Sequence, residues 1–394
     1  MLLLLAGLPH SGAASPELEA FQRNTTGFTG QSDDPTIDAA VSSILADIQS
    51  IHYTAVSVYV EATGVPRYAV GPFDDGNPNP VSDIDTIYVF PRNPAADTSG
   101  TPTELGLGIV GVFVNGVAVF NAEDGVTHNN QNVWHRNAIL AEADGFDACS
   151  GHPAPVGQTG LGIYHHHLRS ECLLDQLGDD GNAHSPIVGL AADGFPIYGP
   201  YGYTDPTDPS STIVRIESSY QPRAIAQRTT LPDGTVLQPA FYGPDVTASG
   251  QYRIGWFMED YEYVDGLGNL DERNGRQTVT PEYPGGTYAY YVTIDDEGDA
   301  AYPYYIGPSF YGEVAEDPCA GQGETWGPGI GPPPPGCEGG GGAGSAVETV
   351  DTVPGDAVVY APEPEALPMA LAAHAMLALM LGVGALRTLR CRAH

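Results

Sequence analysis

The sequence predicts a mainly β protein: one sandwich-like domain with long irregular loops, one short N-terminal helix and a C-terminal transmembrane helix. Apolar runs with strand character recur between residues 54 and 295. Asn115-Gly116 separates two of these runs, and such a pair is a strong hairpin signal. The 50 glycines and 35 prolines indicate many turns, so long helices should be rare.

Residues 15–50 are expected to form a helical lead-in. Asp34 is placed as an N-cap and Pro35 at the first helical position, and an apolar stripe runs from Ile37 to Ile48. This pattern predicts one amphipathic helix before the first strand.

Residues 51–312 are predicted to be the β-rich domain. The strand candidates are TAVSVYVEA, DIDTIYVF, GIVGVFVNGVAVFN, SPIVGLAAD, YRIGWFM and YAYYVTID. Residues 313–361 are so rich in proline and glycine that they cannot build a core, and they are predicted to be a linker.

The overall charge limits the partners. The formal net charge is −35, and all 14 basic residues are arginines. Such a surface repels nucleic acid and anionic lipid headgroups, so neither is an expected partner. The sequence also contains no GxSxG motif, phosphate-binding loop or dinucleotide fingerprint.

Both ends of the chain suggest export. Residues 1–14 combine a short apolar run with small residues, as a signal peptide does, although a basic start is missing. Residues 362–394 contain Pro-Glu-Pro, an apolar stretch at 367–386 that is long enough to span a bilayer, and then three arginines that should stay cytoplasmic. This order resembles the PEP-CTERM sorting signals of Gram-negative bacteria, whose tail a membrane protease removes. A permanent single-span anchor is the alternative.

Four of the five cysteines fall in the exported part, because Cys391 lies in the cytoplasmic tail. An even number of cysteines in an oxidising compartment favours disulfides. The local pairing is Cys149–Cys172 and Cys319–Cys337, among three possible connectivities. Zinc binding by these cysteines is a weaker alternative, since no CxxC spacing occurs.

Three consecutive histidines lie in GIYHHHLRSEC, residues 162–172. If this segment is extended, His165 and His167 project to one face of the strand and His166 to the other, where we expect it to be exposed. Two imidazoles at that spacing can reach one ion. A hydrogen-bonded structural role and acid–base catalysis are the alternatives.

Other polar residues nearby can complete a metal site. His184 or His152 is a candidate third nitrogen ligand, and Asp193 or Tyr164 is a candidate oxygen ligand or a partner that orients the ligands. Imidazole ligands suit copper or zinc, whereas calcium prefers oxygen. Calcium is therefore less expected.

An acidic segment, EDYEYVDGLGNLDERNGR at residues 259–276, carries several oxygen ligands around glycines. The spacing of an EF-hand is absent. We expect a solvated acidic loop in which Asp271 contacts Arg273 or Arg276, in preference to a calcium loop.

Several motifs together resemble the YHYH-domain family of secreted proteins: CSGHPAPVGQTGLGIYHHHLRSEC, HSPIVGLAADGFPIYGPYGY and LDERNGR, within residues 134–312. The sequence departs from the family pattern at His166, where the motif has tyrosine, and at Arg273, where cysteine is common. The later segment YAYY also lacks a histidine. The resemblance implies an extracellular β-rich domain with a histidine-built metal site, and it supplies no established reaction.

The sequence thus predicts an exported, surface-associated protein that binds copper or zinc through a histidine cluster. The competing hypothesis is a non-catalytic matrix or carbohydrate-binding protein, whose tyrosines would line a groove for exopolysaccharide. An enzyme would need an open coordination position and a proton carrier near the metal. The sequence does not decide whether the protein is an enzyme.

Overall fold

The fold is known from a computed structural model that describes residues 16–53, 57–73 and 76–314, and the backbone of 348–349. The chain divides into two units, residues 1–354 and 355–394. The predicted signal peptide, most of the linker, the C-terminal span and the Cys319–Cys337 pair lie outside the described residues. Within the described residues, no helix combines the length and the apolar character that a bilayer span requires.

The structure contains short helices and many short strands. The α-helices are α1 Pro16–Ala20, α2 Asp38–Val41, α3 Ala138–Ala141 and α4 Glu171–Leu177, and the 3₁₀ helices are η1 His128–Asn130, η2 Ala143–Gly145, η3 Pro239–Phe241 and η4 Met258–Asp260. The first ten strands are β1 Gln31–Ser32, β2 Ile48–Tyr53, β3 Ser57–Ala62, β4 Ala69–Val70, β5 Thr86–Pro91, β6 Ile109–Phe113, β7 Ala118–Phe120, β8 Glu123–Thr127, β9 His135–Asn137 and β10 Gly151–Pro155. The others are β11 Gly162–His166, β12 Ile187–Ala191, β13 Pro196–Tyr198, β14 Tyr201–Tyr203, β15 Ile213–Arg215, β16 Tyr220–Pro222, β17 Tyr261–Tyr263, β18 Gly275–Thr278, β19 Thr287–Tyr291 and β20 Glu348–Thr349.

Two sheets form most of the fold. The larger has eight strands in the order β10-β11-β7-β6-β12-β13-β19-β18, and the smaller has four in the order β20-β2-β3-β5. The larger sheet is mixed, because β11 pairs with β7 and β13 with β19 in parallel while its other pairs are antiparallel. Both sheets contribute to one hydrophobic core, for example Val60 and Phe90 from the smaller and Val112 and Val119 from the larger. The predicted mainly β class is confirmed, with 31% strand against 11% helix.

The predicted hairpin at Asn115-Gly116 is confirmed. It joins β6 to β7, and Gly116 has a φ of +81° that suits glycine. A Cβ on Gly116 would lie 2.6 Å from the Cβ of Ala62 in β3, so this turn also needs glycine for close packing. Most other strand candidates correspond to β3, β5, β12 and β19.

The predicted N-terminal amphipathic helix is wrong in its extent. Only the single turn α2 forms, and a second short helix, α1, precedes it. The backbone at Ile44 and Ala46 leaves the helix to bond an earlier segment: Gly30 N–H donates to Ile44 (2.9 Å) and Ala46 N–H donates to Phe28 (2.9 Å). Ile48, the last residue of the predicted stripe, starts β2 instead. Pairing with residues 28–30 therefore outcompetes local helix propensity.

The strand candidate YRIGWFM, residues 252–258, is also wrong. Tyr252 and Gly255 have positive φ angles, which interrupt an extended chain. The Asp260 carboxylate accepts hydrogen bonds from the backbone N–H groups of Gly255 (3.0 Å) and Phe257 (3.1 Å). These bonds turn the chain into η4.

Candidate metal centre

Three histidines converge at one end of the β10–β11 pair. His152 lies directly opposite His165 in the antiparallel register, so their side chains share a face of the sheet. His167 follows β11, two residues after His165, and lies on the same side. His165 Nε2 is 3.1 Å from His152 Nε2 and 3.0 Å from His167 Nε2, and all three rings are buried. This geometry meets the requirement for a shared ion, with three ligand atoms within 4.8 Å of one another.

The hydrogen bonds of the Nδ1 atoms show where His165 and His167 each carry a proton. His165 Nδ1 donates to the carbonyl of Ile163 (3.1 Å), and His167 Nδ1 donates to the carbonyl of Asn121 (2.6 Å). A carbonyl oxygen only accepts, so both Nδ1 atoms hold a proton. In the neutral rings, each Nε2 then presents a lone pair toward the centre of the cluster. This is how metal-binding histidines are usually oriented in proteins.

Aromatic rings pack against the cluster. The Phe120 ring lies against His165 with centroids 3.9 Å apart, and the Phe146 ring meets His152 at 4.9 Å in an edge contact. Burial lowers the pKa of His165 well below its ordinary value, and the nearby His167 and His152 lower it further. The site therefore favours a neutral His165, the form that can bind a metal.

Glu142, which follows α3, is the acidic member of the site, and sequence reasoning missed it. Its Oε2 lies 3.1 Å from His152 Nε2 and 3.3 Å from His167 Nε2. Burial by itself would raise the pKa of Glu142, but hydrogen bonds from His152 and His167 bring this pKa well below its ordinary value. The Glu142 side chain is 26% exposed against 3% for His167, so the carboxylate is on the solvent side. No motif links Glu142 to the histidines, and only its position ten residues before His152 could have drawn notice.

Two of the predicted site residues lie outside this cluster. His184 donates from Nδ1 to the Ser185 carbonyl (2.8 Å) and packs its ring edge-on against Tyr198, with centroids 5.0 Å apart. Asp193 is fully buried, and its carboxylate accepts the Tyr290 hydroxyl at 2.6 Å. Both residues thus contact other partners and do not join His152, His165 and His167.

The opposite face of β11 carries Tyr164 and His166. The Tyr164 hydroxyl donates to Asp147 Oδ2 at 2.8 Å, which directs it away from the three histidines. His166 faces away from His165, as predicted, but the expectation that it is exposed is wrong. It is fully buried because Tyr68 covers it, and the Tyr68 hydroxyl donates to its Nε2 at 2.8 Å while its Nδ1 donates to Ser150.

A disulfide joins Cys149 to Cys172, as the local pairing predicted. Cys149 lies three residues before His152, and Cys172 lies in α4, five residues after His167. The bond therefore links both ends of the β10–β11 segment that carries the histidines.

In the acidic segment 259–276, the carboxylates of Asp260 and Asp271 accept hydrogen bonds from other groups of the protein. Asp271 accepts the backbone N–H of Arg273 (2.9 Å), whereas the Arg273 guanidinium pairs with Glu272 and that of Arg276 donates to the Tyr203 carbonyl, so the expected contact of Asp271 is made with the backbone of Arg273. Asp260 is buried and makes an ion pair with Arg228 at 2.7 Å. Both carboxylates therefore serve the local structure.

Comparison with known proteins identifies a family. The model of the YHYH protein family covers residues 87–304, more than half of the chain, and starts well before the resemblance seen at 134–312. No curated protein and no solved structure shows a significant match.

Proposed function

This chain belongs to the YHYH protein family, and we propose that it binds a transition-metal ion, copper or zinc, through His152, His165 and His167. When bound, such an ion would supply Lewis acidity or, if it is copper, a redox centre.

The observation that carries the proposal is the convergence of three ring nitrogens. Because both Nδ1 protons are committed to carbonyls, the Nε2 atoms of His165 and His167 are the ones that can bind an ion, and they lie 3.0 Å apart. Without an ion, a proton on His167 Nε2 can be shared with His165 or donated to Glu142. A proton joins only two atoms at a time, whereas a metal ion bonds to all three nitrogens, including His152.

The spacing also fits the size of the ion. Ligand atoms 2.0–2.1 Å from a tetrahedral zinc ion lie about 3.3–3.4 Å from one another. Two of the three separations between these nitrogens, 3.1 and 3.0 Å, are within a few tenths of an ångström of that value, and the third is within 4.8 Å. Because the donors are imidazoles, copper and zinc are the best candidates.

Export to the cell surface is part of the same proposal. The Cys149–Cys172 disulfide supports it, because such bonds persist in oxidising compartments. The apolar stretch at 367–386 would hold the protein in the inner membrane until a sorting protease removes it, or would stay as an anchor.

The matrix or carbohydrate-binding alternative has less support. The chain has 22 tyrosines, and ten of those in the described residues are buried, so these ten serve the core and cannot line an open groove. Association with exopolysaccharide would have to use the more exposed remainder.

Metal analysis of the purified protein tests the proposal. We expect wild type to retain about one copper or zinc ion per chain, and the double variant His165→Gln, His167→Gln to lose it, because two of the three imidazole ligands are removed. His184→Gln is the matched control and should keep the metal, since His184 lies outside the cluster. Circular dichroism would check that each variant is folded. A wild type that binds no metal, or equal binding in the folded double variant, would contradict the proposal.

A further inference from the structure

The carboxylate of Glu142 gives the histidine cluster a negative charge. Glu142 Oε2 contacts the Nε2 atoms of both His152 and His167, which are the atoms that would bind the ion. The nearby Arg136 makes an ion pair with Asp124, so its charge is engaged there. The Glu142 carboxylate thus faces the imidazoles at the point where a cation would lie.

The burial of the cluster makes that charge important. The side chains of His167 and His152 are 3% and 8% exposed, and Phe120 covers His165. Moving a divalent ion from water into a buried site with three neutral ligands leaves two positive charges uncompensated, which is costly. One carboxylate in contact halves that charge. A monovalent ion would need less compensation.

The ligand set also favours a divalent ion on chemical grounds. Cu(I) is bound best by soft sulfur ligands, and the cluster contains none. Imidazole with carboxylate suits Zn(II) and Cu(II) better. At 26% exposure, Glu142 is also the donor that an ion arriving from solvent meets first.

We propose that Glu142 is an additional metal-binding group that makes the site selective for divalent Zn(II) or Cu(II) over Cu(I). This inference rests on the proposed function and adds to it the charge of the ion and the residue that selects it.

The test compares the affinities of three ions for wild type and Glu142→Gln. Zn(II) and Cu(II) would be measured by competition with chelators, and Cu(I) anaerobically with a Cu(I) chelator. The glutamine keeps the size of the side chain and removes its charge. We expect the divalent affinities to fall at least about tenfold and the Cu(I) affinity to change less than about threefold.

Asp144→Asn provides a matched control. Asp144 lies two residues from Glu142 and is exposed, so this variant removes one charge without touching the histidines. It should leave all three affinities within about threefold of wild type, because exposed charges are screened.

The outcomes separate the two proposals. A wild type that binds none of the three ions contradicts the proposed function itself. A wild type that binds them, with a Glu142→Gln variant that keeps its divalent affinity or loses Cu(I) affinity equally, overturns only the role of Glu142. An equal loss in Asp144→Asn would show that general surface charge is responsible and would overturn it too.

Discussion

Replacing Cys149 and Cys172 together by alanine should lower the free energy of unfolding by about 3.4 kcal/mol. The disulfide closes a loop with a sequence separation of 23 residues. For a loop of that length, the chain-entropy relation gives about 11 cal/mol/K of entropy restored to the unfolded chain, or about 3.4 kcal/mol at 25 °C. Alanine suits the site because Cys149 is buried, and serine would bury a hydroxyl there.

Equilibrium unfolding in urea measures this loss. A chelator should be present, because a bound metal would stabilise both proteins by mass action. The m-value should rise as well, since the unfolded chain without the crosslink exposes more surface. Wild type with its disulfide reduced is the control, and it should show the same loss without any substitution.

A loss below about 1 kcal/mol in both samples would refute the reasoning, because the crosslink would then not constrain the unfolded chain as the relation requires. A full loss in the variant but not in the reduced wild type would instead assign the effect to the substitutions.

Three further predictions concern both faces of the metal-bearing strand and a buried acid. Gly151→Ala should destabilise the protein by about 1–3 kcal/mol, because the new Cβ would overlap the Tyr164 hydroxyl; unchanged stability in urea would show that the ring moves aside. Tyr68→Phe should lower the free energy of unfolding by about 1–3 kcal/mol, because it leaves His166 Nε2 without its hydrogen-bond donor. Metal affinity should not change, and weaker metal binding would contradict the separation of the two faces of β11. Burial raises the pKa of Asp193 from 3.8 to about 6, so its contribution to stability is complete below about pH 3.8 and is lost as the pH rises through 6. Between pH 3.8 and 6 the free energy of unfolding of wild type should fall by about 3 kcal/mol more than that of Asp193→Asn. Equal slopes of unfolding free energy against pH in the two proteins would contradict this.

Local patterns anticipated the parts of the fold that depend on neighbours in the chain. The hairpin at Asn115-Gly116 formed because its turn needs the conformations those residues allow. The placement of His165 and His167 on one face of the strand and His166 on the other followed from the two-residue period of a strand. The wrong expectations, at residues 37–48 and 252–258, arose where a distant segment or the Asp260 carboxylate took the backbone hydrogen bonds.

The sequence by itself thus determined the mainly β class, the family resemblance, the face that carries the histidine pair and the local Cys149–Cys172 pairing, since each depends on composition, residue order or short separation. Tertiary structure alone decided that His152 and not His184 completes the cluster, because strand register brings His152 opposite His165. It also decided that Glu142 faces the site, since the end of a short helix places its carboxylate beside the imidazoles. Register and helix docking depend on packing between segments, which no spacing within the sequence specifies.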